Sequence, residues 1–259
     1  MNPLDILKPF LISCLIFIPF ERVLAFRPEQ KIFRRGWETD LIHVMATGYL
    51  IKFGAVLLFT LCLSFLNGLV PESVHAAVAA QPFWLAFLEV LLIADLGFYW
   101  VHRAFHAFPL LWKFHAVHHS IEEMDFLAAH RVHPFDQILT RSATLLPVFA
   151  FGFAPEVILL WMALYHGQSL LLHSNVKLGF GPLRRIVALP VFHHWHHARH
   201  PEAVDRNFAG QLSLLDLLFG TLHLPQGKVP EKYGIDMPVP GSYLGQLAHP
   251  FRRAQKAPA

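Results

Sequence analysis

The chain has 259 residues, of which 54% are hydrophobic and only 15% are charged. Soluble domains carry about 25% charged residues, so this composition indicates a membrane protein. The net charge of +3 is too small to indicate a partner made of nucleic acid. The two cysteines, Cys14 and Cys62, lie in apolar segments, which excludes a disulfide framework, a cysteine-rich zinc site and a four-thiolate iron–sulfur cluster.

Three apolar segments precede the first histidine motif. Residues 9–26 form a segment that is interrupted by Glu21 and Arg22 and lacks a small-residue cleavage site, so it is predicted to be an uncleaved membrane segment. Residues 41–66 are long enough to span a bilayer, and residues 82–100 form the next apolar run.

Two further apolar segments, 137–153 and 155–172, are predicted to form a membrane hairpin. Residues 212–222 are short and amphipathic and are expected at the membrane interface. The chain therefore divides into N-terminal membrane segments, a central region and an irregular tail, with predicted bounds of 1–80, 81–225 and 226–259.

The distribution of basic residues orients the chain. The loop 27–35 is rich in Lys and Arg, whereas the predicted loop 71–81 contains neither. Because cytoplasmic loops carry the excess of Lys and Arg, the first loop is predicted to be cytoplasmic and the second external. The histidine-rich segments also carry Arg and Lys, so we expect them in the cytoplasm.

The 18 histidines are the unusual feature of this composition. His102 and His106 are four residues apart and so share one helical face. His115, His118 and His119 follow with i, i+3, i+4 spacing, which places three imidazoles on one face. As core packing such a face is unfavourable, because every neutral ring brings a donor and an acceptor that need partners.

The same spacing recurs in His193, His196 and His197. Two copies of one triad, both predicted to be cytoplasmic, are best explained as two halves of one metal site. Two further candidate ligands are His173, at the end of the last predicted span, and His166, two helical turns before it.

The remaining histidines carry weaker signals. His130 and His133 precede a proline and favour a turn more than ligation. No role is predicted for the isolated histidines, which are His43, His75, His200, His223 and His249.

The motifs HRAFH at 102–106, HAVHHS at 115–120 and HHWHH at 193–197 resemble the histidine boxes of the fatty acid hydroxylase/sterol desaturase superfamily of membrane di-iron enzymes. The segment 201–221 is also similar to the sequence that follows the last box in that superfamily. His194 lies inside the last box where the family usually has another residue, so no ligand role is assigned to it.

The resemblance implies an all-α integral membrane protein of about four transmembrane helices or helical hairpins with a cytoplasmic, histidine-rich helical cap. It also implies two Fe ions, O2 as co-substrate, and hydroxylation or desaturation of a C–H bond in a lipid or sterol-like substrate. Imidazole suits several transition metals, so the choice of iron depends on the resemblance alone. The expected location is the inner or plasma membrane, with the active site on the cytoplasmic side.

Residues near the histidine motifs are candidates to hold the ligand rings in place. Asp95 lies seven residues before His102, and Asp205 and Asn207 follow the last triad. The sequence contains no dinucleotide fingerprint and too few cysteines for an iron–sulfur cluster. Electrons are therefore expected from a separate donor of the ferredoxin, cytochrome b5 or reductase type.

Two other classes of protein are compatible with rows of histidines. A metal transporter would place its ligands near mid-membrane on broken helices. A zinc-dependent membrane hydrolase would use a carboxylate such as Glu122 or Glu123 as the base. Iron content together with O2 consumption distinguishes the oxygenase from both.

Overall fold

The computed structural model describes residues 4–178 and 181–252, and within them the chain is helical with no β-strand. A π-helical turn at His43–Thr47 joins the second helix to the third. The α-helices are α1 Leu4–Val23, α2 Trp37–Ile42, α3 Gly48–Asn67, α4 Glu72–Ala79, α5 Phe83–Ala107, α6 Pro109–His119, α7 Pro134–Ala150, α8 Pro155–His173, α9 Pro190–His196, α10 Ser213–Leu218 and α11 Tyr243–Ala248.

Two helical stretches in the described residues, Trp37–Cys62 and Phe83–Ala107, are long and apolar enough to cross a membrane. Large apolar side chains on their outer faces are exposed, among them Phe53 at 76%, Leu61 at 68% and Trp84 at 63%. An exposed apolar surface of this kind is typical of contact with lipid. The all-helical fold and the membrane-protein class agree with the sequence, while the number of four spans stays a prediction.

The hairpin of α7 and α8 packs against α5. Val90 of α5, Val148 of α7 and Trp161 of α8 belong to one buried apolar cluster. A Cβ on Gly97 of α5 would collide with the backbone carbonyl of Ala143, so the close approach of α5 and α7 requires glycine there. This packing places the last turns of α5, which carry two candidate ligands, beside the first turn of α7.

A buried ion network ties the N-terminal third of the chain to the histidine-rich region. Arg34 lies 2.6 Å from both Asp40 and Asp125, and Asp40 also pairs with Arg131. These side chains are almost fully buried, and a buried charge that loses its partner is strongly destabilising. The network therefore fixes the segment around Arg131, whose carbonyl faces a candidate ligand.

Three segments differ from the predicted local structure. The predicted loop 71–81 contains α4, because Pro71 starts a run rich in alanine with Glu72 in the first turn. The predicted irregular tail contains α11, where Ser242 caps the helix and Gln246 contacts His43. Residues 253–259 of that tail lie outside the described residues. Only Ser213–Leu218 of the amphipathic segment 212–222 is helical.

The predicted orientation is tested by cysteine labelling. In a variant whose two native cysteines are replaced by serine, Ser73→Cys and Lys228→Cys place single thiols at exposed positions. We expect an impermeant maleimide to label the first in intact cells and the second only after lysis, because α4 lies in the predicted external segment. The opposite pattern of labelling would reverse the orientation.

Candidate metal centre

Nine histidines from α5, α6, α8 and the α9 region converge on one small volume in two adjacent groups. The nitrogen atoms within each group all lie within 4.8 Å of one another. The two groups are in contact, with the rings of His119 and His197 stacked at 4.5 Å between centroids. Group one contains His102, His106, His115, His119 and His196, and group two contains His118, His173, His193 and His197.

Within each group the Nε2 atoms face one another. In group one, Nε2 of His115 lies 3.0 Å from Nε2 of His102 and 3.1 Å from that of His119. In group two, Nε2 of His173 lies 3.2 Å from Nε2 of His118 and 2.9 Å from that of His193. Two imidazoles bound at a right angle to one metal ion, with bonds of about 2.1 Å, have nitrogens about 3.0 Å apart. These distances therefore fit rings that share a cation.

The hydrogen bonds at Nδ1 decide which nitrogen carries the proton. His118 Nδ1 donates to the carbonyl of Arg131 (3.1 Å), and His173 Nδ1 donates to the carbonyl of Ser169 (2.8 Å). Because a carbonyl only accepts, each neutral ring has its proton on Nδ1 and a lone pair on Nε2. The two lone pairs face each other at 3.2 Å. A bound cation between them removes this repulsion.

The same reasoning applies to group one. His102 Nδ1 donates to the carbonyl of Phe208 (2.7 Å), and His196 Nδ1 donates to the carbonyl of Arg206 (2.8 Å). The Nε2 atoms of His106 and His196 are buried without a hydrogen-bond partner. A buried polar atom without a partner is costly, so these nitrogens also fit a metal ion.

Burial keeps the rings neutral. Removal from water lowers the pKa of His115, His118 and His119 well below the usual histidine range, and the neighbouring imidazoles lower it further. Burial likewise lowers the pKa of His193 and His197. Neutral imidazole is the form that binds a metal ion, so the rings are in the ligating state without loss of a proton.

Carboxylates hold two of the rings from outside. Asp136, at the start of α7, lies 2.7 Å from Nδ1 of His115 and is fully enclosed. Asp205 lies 3.2 Å from Nδ1 of His106, and its left-handed backbone (φ 55°) turns it toward that ring. Asp205 was predicted from the sequence, whereas Asp136 was missed. The sequence signal that could have indicated Asp136 is its position, a carboxylate in the first helical turn after the HRVHP motif.

Asp95 and Asn207 act on the backbone rather than on a ring. Asp95 accepts hydrogen bonds from three successive amides, at positions 210–212, and Asn207 bonds to the backbone of Phe192 and His223. Asp95 was predicted to hold a ligand ring, but in the structure it binds the backbone that follows Phe208. Asp216, not predicted, accepts from the amides of Phe208 and the next residue.

Several other predicted candidates lie outside the two groups. His166 belongs to neither group, because seven residues of α8 place it about 10 Å along the helix from His173. Its ring lies instead 6.1 Å from that of His130. His133 caps α7 by accepting from Phe135 N.

Three further side chains are engaged elsewhere. Both ring nitrogens of His194 are used, by Tyr233 and by the carbonyl of Ser174. Glu122 and Glu123 hydrogen-bond to Arg35 at the surface, which leaves neither directed at the histidines as the base of a hydrolase would be.

Cavities adjoin the histidines on two sides. A cavity of about 660 Å³, the outer cavity, is lined by ring atoms of both groups together with Trp112 and Arg199. On the other side a small space of about 50 Å³, the chamber, lies against both groups and is closed by Phe98 and Tyr165. Next to the chamber, between α1, α3, α7 and α8, is a larger space of about 470 Å³, the lateral cavity.

The sequence pattern of the fatty acid hydroxylase family matches residues 87–221, which include every member of the two groups. The chain belongs to the fatty acid hydroxylase family. This family belongs to the superfamily that the histidine boxes resemble, so the predicted superfamily is confirmed. No solved structure matches the chain significantly.

Relatives of known function support the same assignment. The chain is 32% identical to an ornithine lipid hydroxylase of Rhizobium tropici over 94% of this chain and 75% of the relative. It is 34% identical to an alkylglycerol monooxygenase of Danio rerio over 62% of this chain and 34% of that protein. A fatty acid hydroxylase of Lecanicillium sp is 30% identical over 53% and 43%. The chain thus spans about a third of the length of the monooxygenase. All three relatives are named as oxidoreductases that act on lipids.

The contact between Asp136 and His115 predicts a loss of metal affinity on substitution. Asp136→Ala removes the acceptor that orients the ring and should lower metal affinity or activity by about 10–100-fold. Asp136→Asn keeps one oxygen acceptor and should lose less. Metal content of the purified variants measures this, and a fully metallated Asp136→Ala protein would contradict it.

The three amide contacts of Asp95 predict a different defect. Asp95→Asn replaces one acceptor oxygen by an NH2 group, which leaves buried amides unpaired at a cost of about 1–3 kcal/mol. We expect a lower melting temperature than for Asp205→Asn, whose carboxylate is exposed. Thermal unfolding in detergent provides the comparison, and equal melting temperatures for the two variants would refute this role.

Proposed function

We propose that this protein is a membrane di-iron oxygenase that hydroxylates a C–H bond of a lipid substrate. The observation that carries the proposal is the pair of adjacent histidine groups whose Nε2 lone pairs converge beside a cavity between the membrane helices. One iron ion is assigned to each group. The relatives are a hydroxylase and a monooxygenase, which favours hydroxylation over desaturation.

Two iron ions bound here would supply the activation of O2 that converts a C–H bond into C–OH. The overall reaction consumes the lipid, O2, two electrons and two protons, and gives the hydroxylated lipid and water. The residues of the chain provide the rest. Carbonyls at positions 131, 169, 206 and 208 hold the rings in the ligating tautomer, and Asp136 and Asp205 orient two more.

The two sides of the site have different tasks. The chamber is walled by Phe98, Tyr165 and Leu172, so water is scarce where an apolar chain would meet the histidines. The outer cavity reaches the rings from the opposite side, past Trp112. We assign the outer cavity to the cytoplasmic face, where a separate donor of the ferredoxin, cytochrome b5 or reductase type delivers electrons.

The ligand assignment is tested with one histidine from each group. His118→Ala and His196→Ala each remove a metal bond, so both variants should lose iron and form less than about 1% of the wild-type product, beyond the 10–100-fold typical of outer residues. His249→Ala, outside both groups, is the matched control and should behave as wild type. Iron content and 18O incorporation from labelled O2 into extracted lipid measure the effect.

Particular results would contradict the proposal. Wild-type protein that contains zinc but no iron after aerobic expression in iron-rich medium, and that acts without O2, would exclude the oxygenase. A His118→Ala variant with full iron content and activity would exclude the assigned ligands of group two.

A further inference from the structure

The lateral cavity lies next to the chamber beneath the histidines. Ala129, Val132, Thr140, Tyr165 and Ser169 line both spaces, so only these side chains stand between the two. The lateral cavity thus brings the space between α1, α7 and α8 to within one layer of side chains of the chamber. Its volume of about 470 Å³ is within the range of sites that bind small molecules.

Arg141, in the middle of α7, lines the lateral cavity. Its Nε donates to the side chain of Gln137 at 3.3 Å. Among the described residues, its two terminal nitrogens have no hydrogen-bond acceptor, and no carboxylate lies within 4.0 Å. Because guanidinium is always charged, a cation between membrane helices is costly unless it is paired.

The lateral cavity has an apolar lining with several polar side chains among it. Ser13, Thr144, Tyr165 and His166 line it with Arg141, and among the described residues no Asp or Glu does. Arg141 and His166 both line this space and both have exposed side chains. This lining offers hydrogen-bond donors to an anionic group. A guanidinium group can donate two parallel, charge-assisted hydrogen bonds to a carboxylate or a phosphate, and such bonds are stronger than those between neutral groups.

The position of Arg141 on α7 can be compared with that of Asp136, which contacts a histidine of group one. Arg141 is five residues after Asp136, which contacts His115, so the two are about 7.5 Å apart along the α7 axis. Side chains on a helix lean toward its N-terminus, here toward Asp136 and group one. Five residues also turn the helix by about 140°, so Arg141 does not face His115 directly. Its neighbour Thr140 lines both the lateral cavity and the chamber, so an anionic group bound by Arg141 is held next to the chamber.

We propose that the lateral cavity binds an anionic lipid, with Arg141 holding its carboxylate or phosphate, and that oxidation falls near this acidic end and not near the methyl end. The position of oxidation rests on the proposed oxygenase function, whereas binding of the anionic group does not. The two parts are therefore tested separately.

The binding part uses purified full-length protein in uncharged detergent without reductant, so that no turnover occurs. The probes are palmitate, 1-palmitoyl-lysophosphatidate and hexadecanol, which share a chain of the same length. We expect wild type to bind at least one acid about tenfold or more tightly than the alcohol, as for a hydrogen bond to a charged group. The tighter acid identifies carboxylate or phosphate as the group recognised.

Substitutions at Arg141 give the matched comparison. Arg141→Gln should abolish the preference for the acid while binding of hexadecanol is unchanged, and Arg141→Lys should retain part of it. Arg185→Gln removes an exposed arginine outside this cavity and should bind as wild type. Equal binding of all three probes by wild type, or an unchanged preference in Arg141→Gln, would overturn the proposal. The wild-type comparison decides even if a variant fails to fold.

The position of oxidation is read by mass spectrometry of the product formed with reductase and O2. A hydroxyl group near the acidic end supports the assigned orientation, and one near the methyl end overturns it. Absence of any oxidation, with the acid preference intact, would refute the oxygenase function while leaving Arg141 as the site of the anionic group.

Discussion

The structure depends on the burial of nine imidazoles that converge in two adjacent groups. In water each lone pair would accept a hydrogen bond, but here the Nε2 atoms of His118 and His173 meet at 3.2 Å with both protons committed elsewhere. Desolvation and lone-pair repulsion both oppose such an arrangement. A metal ion in each group would offset these costs, and because the ligands come from α5, α6, α8 and the α9 region, its binding would be coupled to the packing of these helices.

The surroundings of the centre are arranged to keep this geometry. Backbone carbonyls of Arg131, Arg206 and Phe208 fix tautomers, and these carbonyls are themselves held in place. Asp40 binds the side chain of Arg131, while Asp216 binds the amide of Phe208. These buried carboxylates therefore position the backbone segments whose carbonyls accept from the rings. This role explains why acidic residues occur inside a largely apolar protein.

The location of the centre at the end of the membrane helices gives it two different approaches. Arg199 and Asp236 at the rim of the outer cavity form an ion pair, so that approach is polar. The chamber is lined by aromatic and aliphatic side chains such as Phe98 and Leu172 and lies next to the lateral cavity between the helices. In the proposed oxygenase, a polar reductant and an apolar substrate would therefore use different sides of the same histidine groups.

The sequence by itself determined the helical class, the membrane composition and the histidines of the centre, because i, i+3, i+4 spacing is a local property of a helix. The sequence could not show which histidines belong to which of the two groups. The tertiary structure places His115 and His119 in group one but His118 in group two, since neighbouring positions on one helix face different partners. The tertiary structure also shows that Asp136 contacts the ring of His115, whereas Asp95 binds the backbone amides of residues 210–212. Such roles depend on which distant segments pack together, here α6 on α7 and α5 on residues 210–212, and short-range periodicity contains no information about that.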